Sequence, residues 1–458
     1  MIFFTLEFAI VFLLFFCLYW GLKYVGRIYQ NALLLLFNYA ILLWINPYFG
    51  LVVAIYTLVI YLFSSLIYLY ETRVMLTLSL GLVVLNLSFF KYFASIKDSF
   101  DMIFMLVGLD VIDINILFPL GLSFYTFASI TYLVSVSKTR KMASLFSLAT
   151  FLSFFPTFIS GPIMRSEFFF SQLHKERHLG KTSLIFTLIL FGLFKKVLCA
   201  SYLQTYSDSI LQNPADYSSL TLLLGIYAYA VRLYCDFSGY VDLVSAFALM
   251  LGFSLPQNFN MPYAARNIKD FWGRWHISLS LFIRDYIYIP LGGNKKGFFL
   301  AQIFVLISFG LSGIWHGNTY NFLIWGLLHG FGTICFNCMR ALKLSIPIPY
   351  VSAFITFHFV TFAWVFFYYP NLEDALFYLE SFMLNSTKPF LNTEILLCIL
   401  CAILFVLYRP LCENMERRFS IFFYKMPFIL QPFVFACCLI VIIGFGPSGI
   451  PNFIYAGF

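Results

Sequence analysis

Long apolar runs, separated by short polar segments, follow one another along the whole chain. Each run is close to the ~20 residues that an α-helix needs to cross the hydrocarbon core of a bilayer. Lipid offers no hydrogen bonds to the backbone, so runs of this length predict helices rather than open sheet. About 11–13 transmembrane helices fit the pattern. The chain is therefore predicted to be an all-α, polytopic integral membrane protein.

No linker, repeat or low-complexity segment interrupts this pattern, so we predict a single membrane-embedded domain over residues 1–458. The first predicted crossings are residues 1–22, 30–47, 49–70, 75–93 and 115–136. Later apolar runs cover residues 183–205, 217–234, 238–255, 298–315, 319–339, 349–369, 392–409 and 426–446. Residues 373–385 and 411–424 are predicted to be surface helices or loops.

Basic residues between the runs predict the orientation. Lys23 and Arg27 directly follow the first run, which places that end in the cytoplasm and the N-terminus outside. The first run has neither a preceding positive charge nor a small-residue cleavage site, so it is predicted to be a transmembrane helix rather than a signal peptide. Residues 143–163 do not fit as a crossing, because they would put the basic segment 174–178 outside. Two prolines interrupt them, and we predict a broken or re-entrant segment.

The composition narrows the class of protein. With 62% hydrophobic residues and a mean hydropathy of +0.89, an ordinary soluble protein is excluded. The net charge of +8 comes from Lys and Arg in short loops between apolar runs, the bias of cytoplasmic loops. We therefore expect membrane lipid around the chain and no nucleic-acid partner. The ten cysteines are scattered, mostly within apolar runs, and lack the spacing of a zinc site, so no metal and no disulfide framework are predicted.

Polar and ionisable residues gather most densely between residues 271 and 330. Such residues are costly at membrane depth, so this stretch is the candidate functional site. Residues 272–286 have the periodicity of an amphipathic helix lying at the membrane interface. The glycine turn that follows ends in Lys295 and Lys296, which predict a cytoplasmic position.

His316 lies at a polar break between two apolar runs. A neutral imidazole can act as a general base near pH 7 and take the proton of a hydroxyl acceptor. His329 follows 13 residues later, ~20 Å along a straight helix. The two histidines are therefore not expected to serve the same bond unless the chain breaks at Gly317-Asn318. One is predicted to be the base and the other a structural or donor-side group.

A second cluster of ionisable residues lies upstream in an apolar stretch and consists of Arg232, Asp236 and Asp242. Charged groups at membrane depth must pair or line an aqueous cavity. Bracing is the predicted role of the two acids, with cavity lining as the alternative.

Several segments of the chain match a known signature. It runs from residue 271 as FWGRWHISLS and continues as RDY (284–286) and PLGGN (290–294). Further segments, in the same order as in that family, are PLGLSFYTF (119–127), GPI (161–163), GLFKK (192–196), DFSGY (236–240), LPQNFN (255–260) and WHG (315–317). With them the chain resembles the membrane-bound O-acyltransferases, in the bacterial branch of alginate O-acetylation proteins, peptidoglycan O-acetyltransferases and teichoic-acid D-alanyl transferases. Gly273 departs from the pattern, because the family usually has Arg there.

The resemblance implies a fold of roughly eleven spans, with re-entrant segments around a funnel that meets a central tunnel. It makes the chain a membrane-embedded acyltransferase domain with its signature core at about residues 119–330. His316 is the first candidate for the catalytic base and His329 the second. Tunnel-lining or supporting roles are expected of Trp275, His276, Arg284, Asp285, Asn294, Trp315, Asn318 and Asp236. The implied donor is a cytoplasmic acyl thioester such as acetyl-CoA, with no bound cofactor.

The expected function is O-acetylation of a cell-envelope polysaccharide, with peptidoglycan preferred as the acceptor. Alginate or another exopolysaccharide, and D-alanyl transfer to teichoic acid, are the alternatives within this class. The expected partners are the glycan and a secreted or periplasmic esterase-like O-acetyltransferase that completes delivery. The expected location is the inner membrane. A non-catalytic channel or exporter is the alternative from another class, and for it His316 would be dispensable.

Overall fold

The structure is a computed structural model that describes residues 5–107, 116–390 and 392–447. Every regular element in these ranges is a helix, as expected of a backbone that must satisfy its own hydrogen bonds in lipid. The predicted all-α fold is confirmed. The contacts divide the chain into two compact units, residues 1–181 with 247–256, and residues 182–246 with 257–458. The single acyltransferase domain over 1–458 stays a prediction.

Ten helices in the described ranges are long and apolar enough to cross a membrane. They are Leu6–Tyr24, Arg27–Ile45, Pro47–Tyr70, Arg73–Phe93, Thr182–Leu211, Ser219–Met250, Phe298–His316, Tyr320–Ala341, Pro349–Tyr368 and Asn392–Cys412. A polytopic membrane protein is thereby confirmed, with a count just below the predicted range.

Three differences from the predicted runs account for the lower count. Residues 217–234 and 238–255 lie largely in one helix, Ser219–Met250. Residues 426–446 contain the shorter helix Leu430–Gly444, of 15 residues. The run 115–136 corresponds to the helix Leu122–Thr139. Its buried Ser and Thr residues lower its hydropathy, and it is not among the ten.

The helices of the first unit are α1 Leu6–Gly21, α2 Arg27–Ile45, α3 Pro47–Tyr70, α4 Arg73–Leu106, α5 Leu122–Thr139, α6 Leu145–Leu152, α7 Phe155–Phe158 and α8 Ser166–Leu173. Its polar core is formed around Arg177, which is 3% exposed. The guanidinium donates to the Tyr19 hydroxyl (2.6 Å), the Leu173 carbonyl (3.1 Å) and the Gln30 side chain (3.1 Å). A buried cation satisfied in this way ties α1, α2 and α8 together.

The segment at residues 143–163 is broken, as predicted. α6 ends at Leu152, and the four-residue helix α7 follows with Pro156 in its first turn, where no N–H donor is needed. Asn38 of α2 accepts a hydrogen bond from the Phe155 N–H (3.3 Å) and so holds the break. Both short helices are largely buried, as irregular backbone at membrane depth must be.

The helices that begin in the second unit are α9 Thr182–Leu193, α10 Ala200–Leu211, α11 Ser219–Met250, α12 Ile268–Trp272, α13 Ile277–Ile283, α14 Ile289–Leu291, α15 Phe298–His316, α16 Tyr320–Ala341, α17 Pro349–Tyr368, α18 Leu372–Leu384, α19 Asn392–Cys412, α20 Met415–Lys425 and α21 Leu430–Gly444. A π-helical turn, Phe194–Cys199, joins α9 to α10 without a break. A second π-helical turn, Arg284–Tyr288, follows α13. Such turns re-aim side chains and are frequent at functional sites.

The predicted continuous helix at residues 272–286 is wrong. α12 ends at Trp272 and α13 begins at Ile277, and between them His276 has a left-handed backbone with φ 43°. Asn258 holds this break, because its side-chain oxygen accepts from the backbone N–H (3.1 Å) and the hydroxyl (2.7 Å) of Ser278. A side chain from an upstream loop thus satisfies donors at the start of α13 that have no partner within the helix.

Candidate functional site

The site is built on the hairpin of α15 and α16. α15 ends at His316 and α16 begins at Tyr320, so the chain breaks at the position required for the two candidate histidines to approach each other. A Cβ on Gly313 would lie 2.2 Å from the Phe322 carbonyl oxygen. Only glycine therefore lets the two helices pack this closely.

His316 is enclosed by aromatic side chains and is 2% exposed. Its ring centroid lies 4.6 Å from Trp315, 4.9 Å from Trp325, 5.3 Å from Phe367 and 6.5 Å from Phe322. Phe322 and Phe367 also line a cavity of about 770 Å³. The imidazole therefore lies one side-chain layer behind the cavity wall, shielded from water but next to a space that can hold a substrate.

His329 is fully buried. Its ring is surrounded, at centroid distances of 5.0–6.5 Å, by Phe271, Trp272, Phe309, Trp325, Phe359 and Trp364. Among the residues that the structure describes, neither ring nitrogen has a hydrogen-bond partner. Buried polar atoms in this condition are rare in folded proteins. Trp325 lies between the two histidines, 4.9 Å from His316 and 5.0 Å from His329.

Trp275, a predicted supporting residue, joins the same aromatic layer. Its ring lies 5.1 Å from that of Trp364, which stacks on Trp325 at 5.7 Å. This stack connects the signature segment to the histidine hairpin. Neither Trp325 nor Trp364 is among the residues predicted from the sequence. For Trp325 the available signal was its position four residues before His329, which puts both on one helix face.

His276 lies at the break between α12 and α13 and is 1% exposed. Its Nδ1 is 3.3 Å from the Asn258 side-chain oxygen, and its ring packs edge-on against Phe237 at 4.9 Å. Burial lowers the pKa of His276 to about 3, so the imidazole is neutral at physiological pH. These contacts favour the predicted supporting role for His276.

Three other predicted residues lie on the exposed segment after α13. Arg284, with 55% of its side chain exposed, donates from Nε to Asp285 (2.7 Å). Asn294 accepts a hydrogen bond from the Tyr288 hydroxyl (2.7 Å). These bonds hold the π-helical turn and the loop that follows it. Asn318 lies exposed in the connection between α15 and α16.

Asp236 forms an ion pair with Lys196, and the two side chains are 1% and 0% exposed. Asp242 pairs with Lys195, which lies next to Lys196 on the π-helical turn. The geometry thus favours bracing, the role predicted for the two acids. Both lysines belong to the GLFKK segment, but the sequence pattern does not match them to the acids, because the partners lie on different helices.

Arg232 behaves differently from the two acids, because it faces the cavity. Its guanidinium donates to Asp208 (2.7 Å), and both side chains line the cavity wall. The start of α16 is fixed to the same wall, since the buried Asn321 amide donates to the carbonyls of Tyr369 (2.7 Å) and Asn371 (2.8 Å). The cavity is therefore held by buried polar bonds as well as by apolar packing.

In the described part of the chain, no three His, Cys, Asp or Glu side chains are grouped as a metal site requires. All ten cysteines are free. The expected absence of a metal and of a bound cofactor stays a prediction.

Known proteins match most of the chain. The sequence profile of the membrane-bound O-acyltransferase family matches residues 13–378. A probable alginate O-acetylase of Pseudomonas putida is 36% identical over 380 residues, which cover 79% of this chain and 76% of that protein. A peptidoglycan O-acetyltransferase of Helicobacter pylori is 35% identical over 339 residues (66% and 63%). A teichoic acid D-alanyltransferase of Bacillus subtilis is 30% identical over 273 residues (55% and 69%). The profile match begins in α1, ends in α18 and includes both candidate histidines.

Proposed function

Because the chain belongs to the membrane-bound O-acyltransferase family, we propose that it moves an acetyl group across the membrane for O-acetylation of a cell-envelope polysaccharide. The chain is an acyltransferase and a multi-pass membrane protein, so the alternative of a non-catalytic channel or exporter is set aside. The proposed donor is a cytoplasmic thioester, acetyl-CoA, and the proposed acceptor is peptidoglycan. Alginate or another exopolysaccharide, and D-alanyl transfer to teichoic acid, are the competing acceptor assignments, in line with the names of the relatives.

The observation that carries this proposal is the position of His316 at the end of a full-length span, in contact with two side chains of the cavity wall. A hydroxyl entering from the cavity gives its proton to the imidazole as its oxygen attacks the thioester carbonyl carbon. The C–S bond then breaks, and the leaving thiolate takes the proton from the imidazolium. General-base assistance of this kind contributes roughly 10²–10⁴-fold to the rate.

Phe322 and Phe367 stand between the imidazole and the cavity. A general base must come within hydrogen-bond reach of the proton that it takes, and such contacts commonly tighten only when the substrate is bound. We propose that one of the two phenylalanine rings moves aside when the acceptor enters.

The cavity is proposed to open to the outside of an inner membrane. Lys295 and Lys296 precede α15 and Lys343 follows α16, all exposed, and clustered basic residues favour the cytoplasmic face. The 19 residues of α15 extend about 28 Å, close to the ~30 Å of a hydrocarbon core. His316 then lies at the membrane face opposite these lysines. The preference of basic residues for the cytoplasmic face, applied to Lys23 and Arg27, puts the N-terminus outside.

We assign the base to His316 and a structural or donor-side role to His329, since only His316 contacts side chains of the cavity wall. Delivery to the polysaccharide is proposed to be completed by a secreted or periplasmic esterase-like O-acetyltransferase. Its nucleophilic hydroxyl, or a hydroxyl of the glycan itself, is the group that His316 deprotonates.

The test is ester analysis of purified cell-wall and extracellular glycans from strains that carry His316→Ala. We expect glycan O-acetyl to fall to background. His358→Ala is the matched control, because His358 is a histidine in a neighbouring span that bonds the Tyr227 hydroxyl (2.5 Å), and it should leave the esters in place. Unchanged O-acetyl on every glycan in the His316→Ala strain would overturn the proposal.

A further inference from the structure

The cavity beside His316 combines aromatic faces with charged groups. Tyr229 of α11 and Tyr368 of α17 lie edge to face with their centroids 4.9 Å apart, and both line the cavity. Phe322 and Phe367 close the side toward His316. The volume of about 770 Å³ falls within the roughly 300–1,000 Å³ of small-molecule sites. Aromatic faces of this kind pack against the C–H face of a sugar ring.

The cavity lining has more acidic than basic side chains. The acidic ones are Asp208 and Asp374, and the basic one is Arg232. Asp208 accepts hydrogen bonds from Arg232 (2.7 Å) and from the Tyr368 hydroxyl (3.3 Å). The charge of Arg232 is thereby matched by Asp208, and Asp374 leaves the described lining with one net negative charge.

These groups can still bond a neutral polar ligand. A guanidinium has five N–H donors, so Arg232 can hold Asp208 and also donate to a hydroxyl or carbonyl oxygen. The carboxylate of Asp374 is exposed at the start of α18 and can accept from a sugar hydroxyl. An arriving carboxylate could use the same spare donors, but the positive charge of Arg232 is already matched by Asp208, so the carboxylate would meet the unmatched like charge of Asp374.

We propose that this cavity binds an uncharged pyranose ring of the acceptor glycan and discriminates against polyuronates. The inference rests on the form of the proposed function in which a hydroxyl of the glycan itself reaches His316, but the binding preference depends only on the cavity lining. Like-charge repulsion across a few ångströms near a protein surface is worth on the order of tenfold or more in affinity. The selectivity is therefore set by Asp374 together with the Asp208–Arg232 pair.

The experiment measures binding of two probes, chitotetraose and tetramannuronate, to the full-length protein in nanodiscs, by isothermal titration calorimetry at low salt. We expect chitotetraose to bind about tenfold or more tightly than tetramannuronate, with an affinity that changes little with salt. Tetramannuronate that binds as tightly as chitotetraose, or absence of binding by both probes, would overturn the proposal.

Two neighbouring carboxylates give a matched pair of variants. Asp374 lines the cavity and Glu373 does not, although both lie exposed in the first turn of α18. Asp374→Asn should narrow the preference for chitotetraose severalfold, and Glu373→Gln should leave it as in the wild type. Equal effects of the two variants would show that overall charge, rather than the cavity, sets the preference, and would contradict the proposal.

The outcome for the binding preference is separable from that for the proposed function. His316→Ala should abolish transfer and leave chitotetraose binding unchanged. If transfer survives in that variant while the preference for chitotetraose holds, only the assignment of the base fails. If transfer is lost but tetramannuronate is preferred, only the cavity inference fails.

Discussion

The buried ion pair between Lys196 and Asp236 makes a large and specific stability effect predictable. Its side chains are 0% and 1% exposed, so water screens neither charge. Removing one partner of such a pair costs roughly 3–5 kcal/mol, because the other charge stays buried after this counter-ion is lost. Replacing both partners by apolar residues of similar volume is often close to neutral. Lys196→Met and Asp236→Leu should each lower the free energy of unfolding by about 3–5 kcal/mol, and the double variant should recover most of that loss.

The neighbouring pair, Lys195 with Asp242, is the internal control. Its side chains are 14% and 12% exposed, so polar surroundings partly solvate the charge that remains when one partner is removed. Lys195→Met should therefore lower the free energy of unfolding by only about 1–2 kcal/mol. The assay is unfolding of the purified protein in mixed micelles with increasing SDS, with transfer activity followed in parallel. The reasoning is refuted if Lys196→Met destabilises no more than Lys195→Met, or if the double variant is no more stable than the single ones.

Two further predictions concern the hairpin and the signature segment. A Cβ on Gly317 would lie 2.2 Å from the Phe322 ring, so Gly317→Ala should displace that ring and lower the rate of acyl transfer at least about tenfold. Gly310→Ala is the control, because its Cβ would lie 3.6 Å from Leu327. It should keep a transfer rate near that of the wild type in the same assay. Burial depresses the pKa of His276 from 6.5 to about 3, so the unfolded chain binds more protons between these values and stability falls as the pH drops below about 6.5. His276→Gln should make the melting temperature less dependent on pH between about 6.5 and 4.5, and an unchanged dependence would contradict this.

Sequence periodicity predicted where the chain is helical, but not which residues on different helices form ion pairs. The predicted runs 217–234 and 238–255 leave Asp236 between them. The structure has one helix there, in which the buried Asp236 is paired with Lys196 of the preceding π-helical turn. The identity of a charged partner on another helix is tertiary information, which the pattern of a single segment does not contain.

The error at residues 272–286 has a similar origin. The apolar positions that predicted a helix are indeed buried, with Trp275 and Leu279 at 1% and 2% exposure. Helical periodicity over two short helices looks like that of one long helix, and the left-handed residue between them, His276, does not interrupt it. What breaks the helix is Asn258, a residue about twenty positions upstream that hydrogen-bonds to Ser278.

For the two histidines, the sequence predicted only that they approach each other if the chain breaks between them. A straight helix would separate His316 from His329 by ~20 Å, but the connection at residues 317–319 folds α16 back along α15. His329 is then nine residues below Tyr320, about 14 Å deeper along the helix axis. Both rings pack against Trp325, but only the ring of His316 also packs against Phe322 and Phe367 of the cavity wall, so a hydroxyl at that wall lies nearer to His316. In the proposed orientation, with the cavity end outside and the thioester donor in the cytoplasm, His329 lies on the donor side of His316, and the indole of Trp325 packs against both rings.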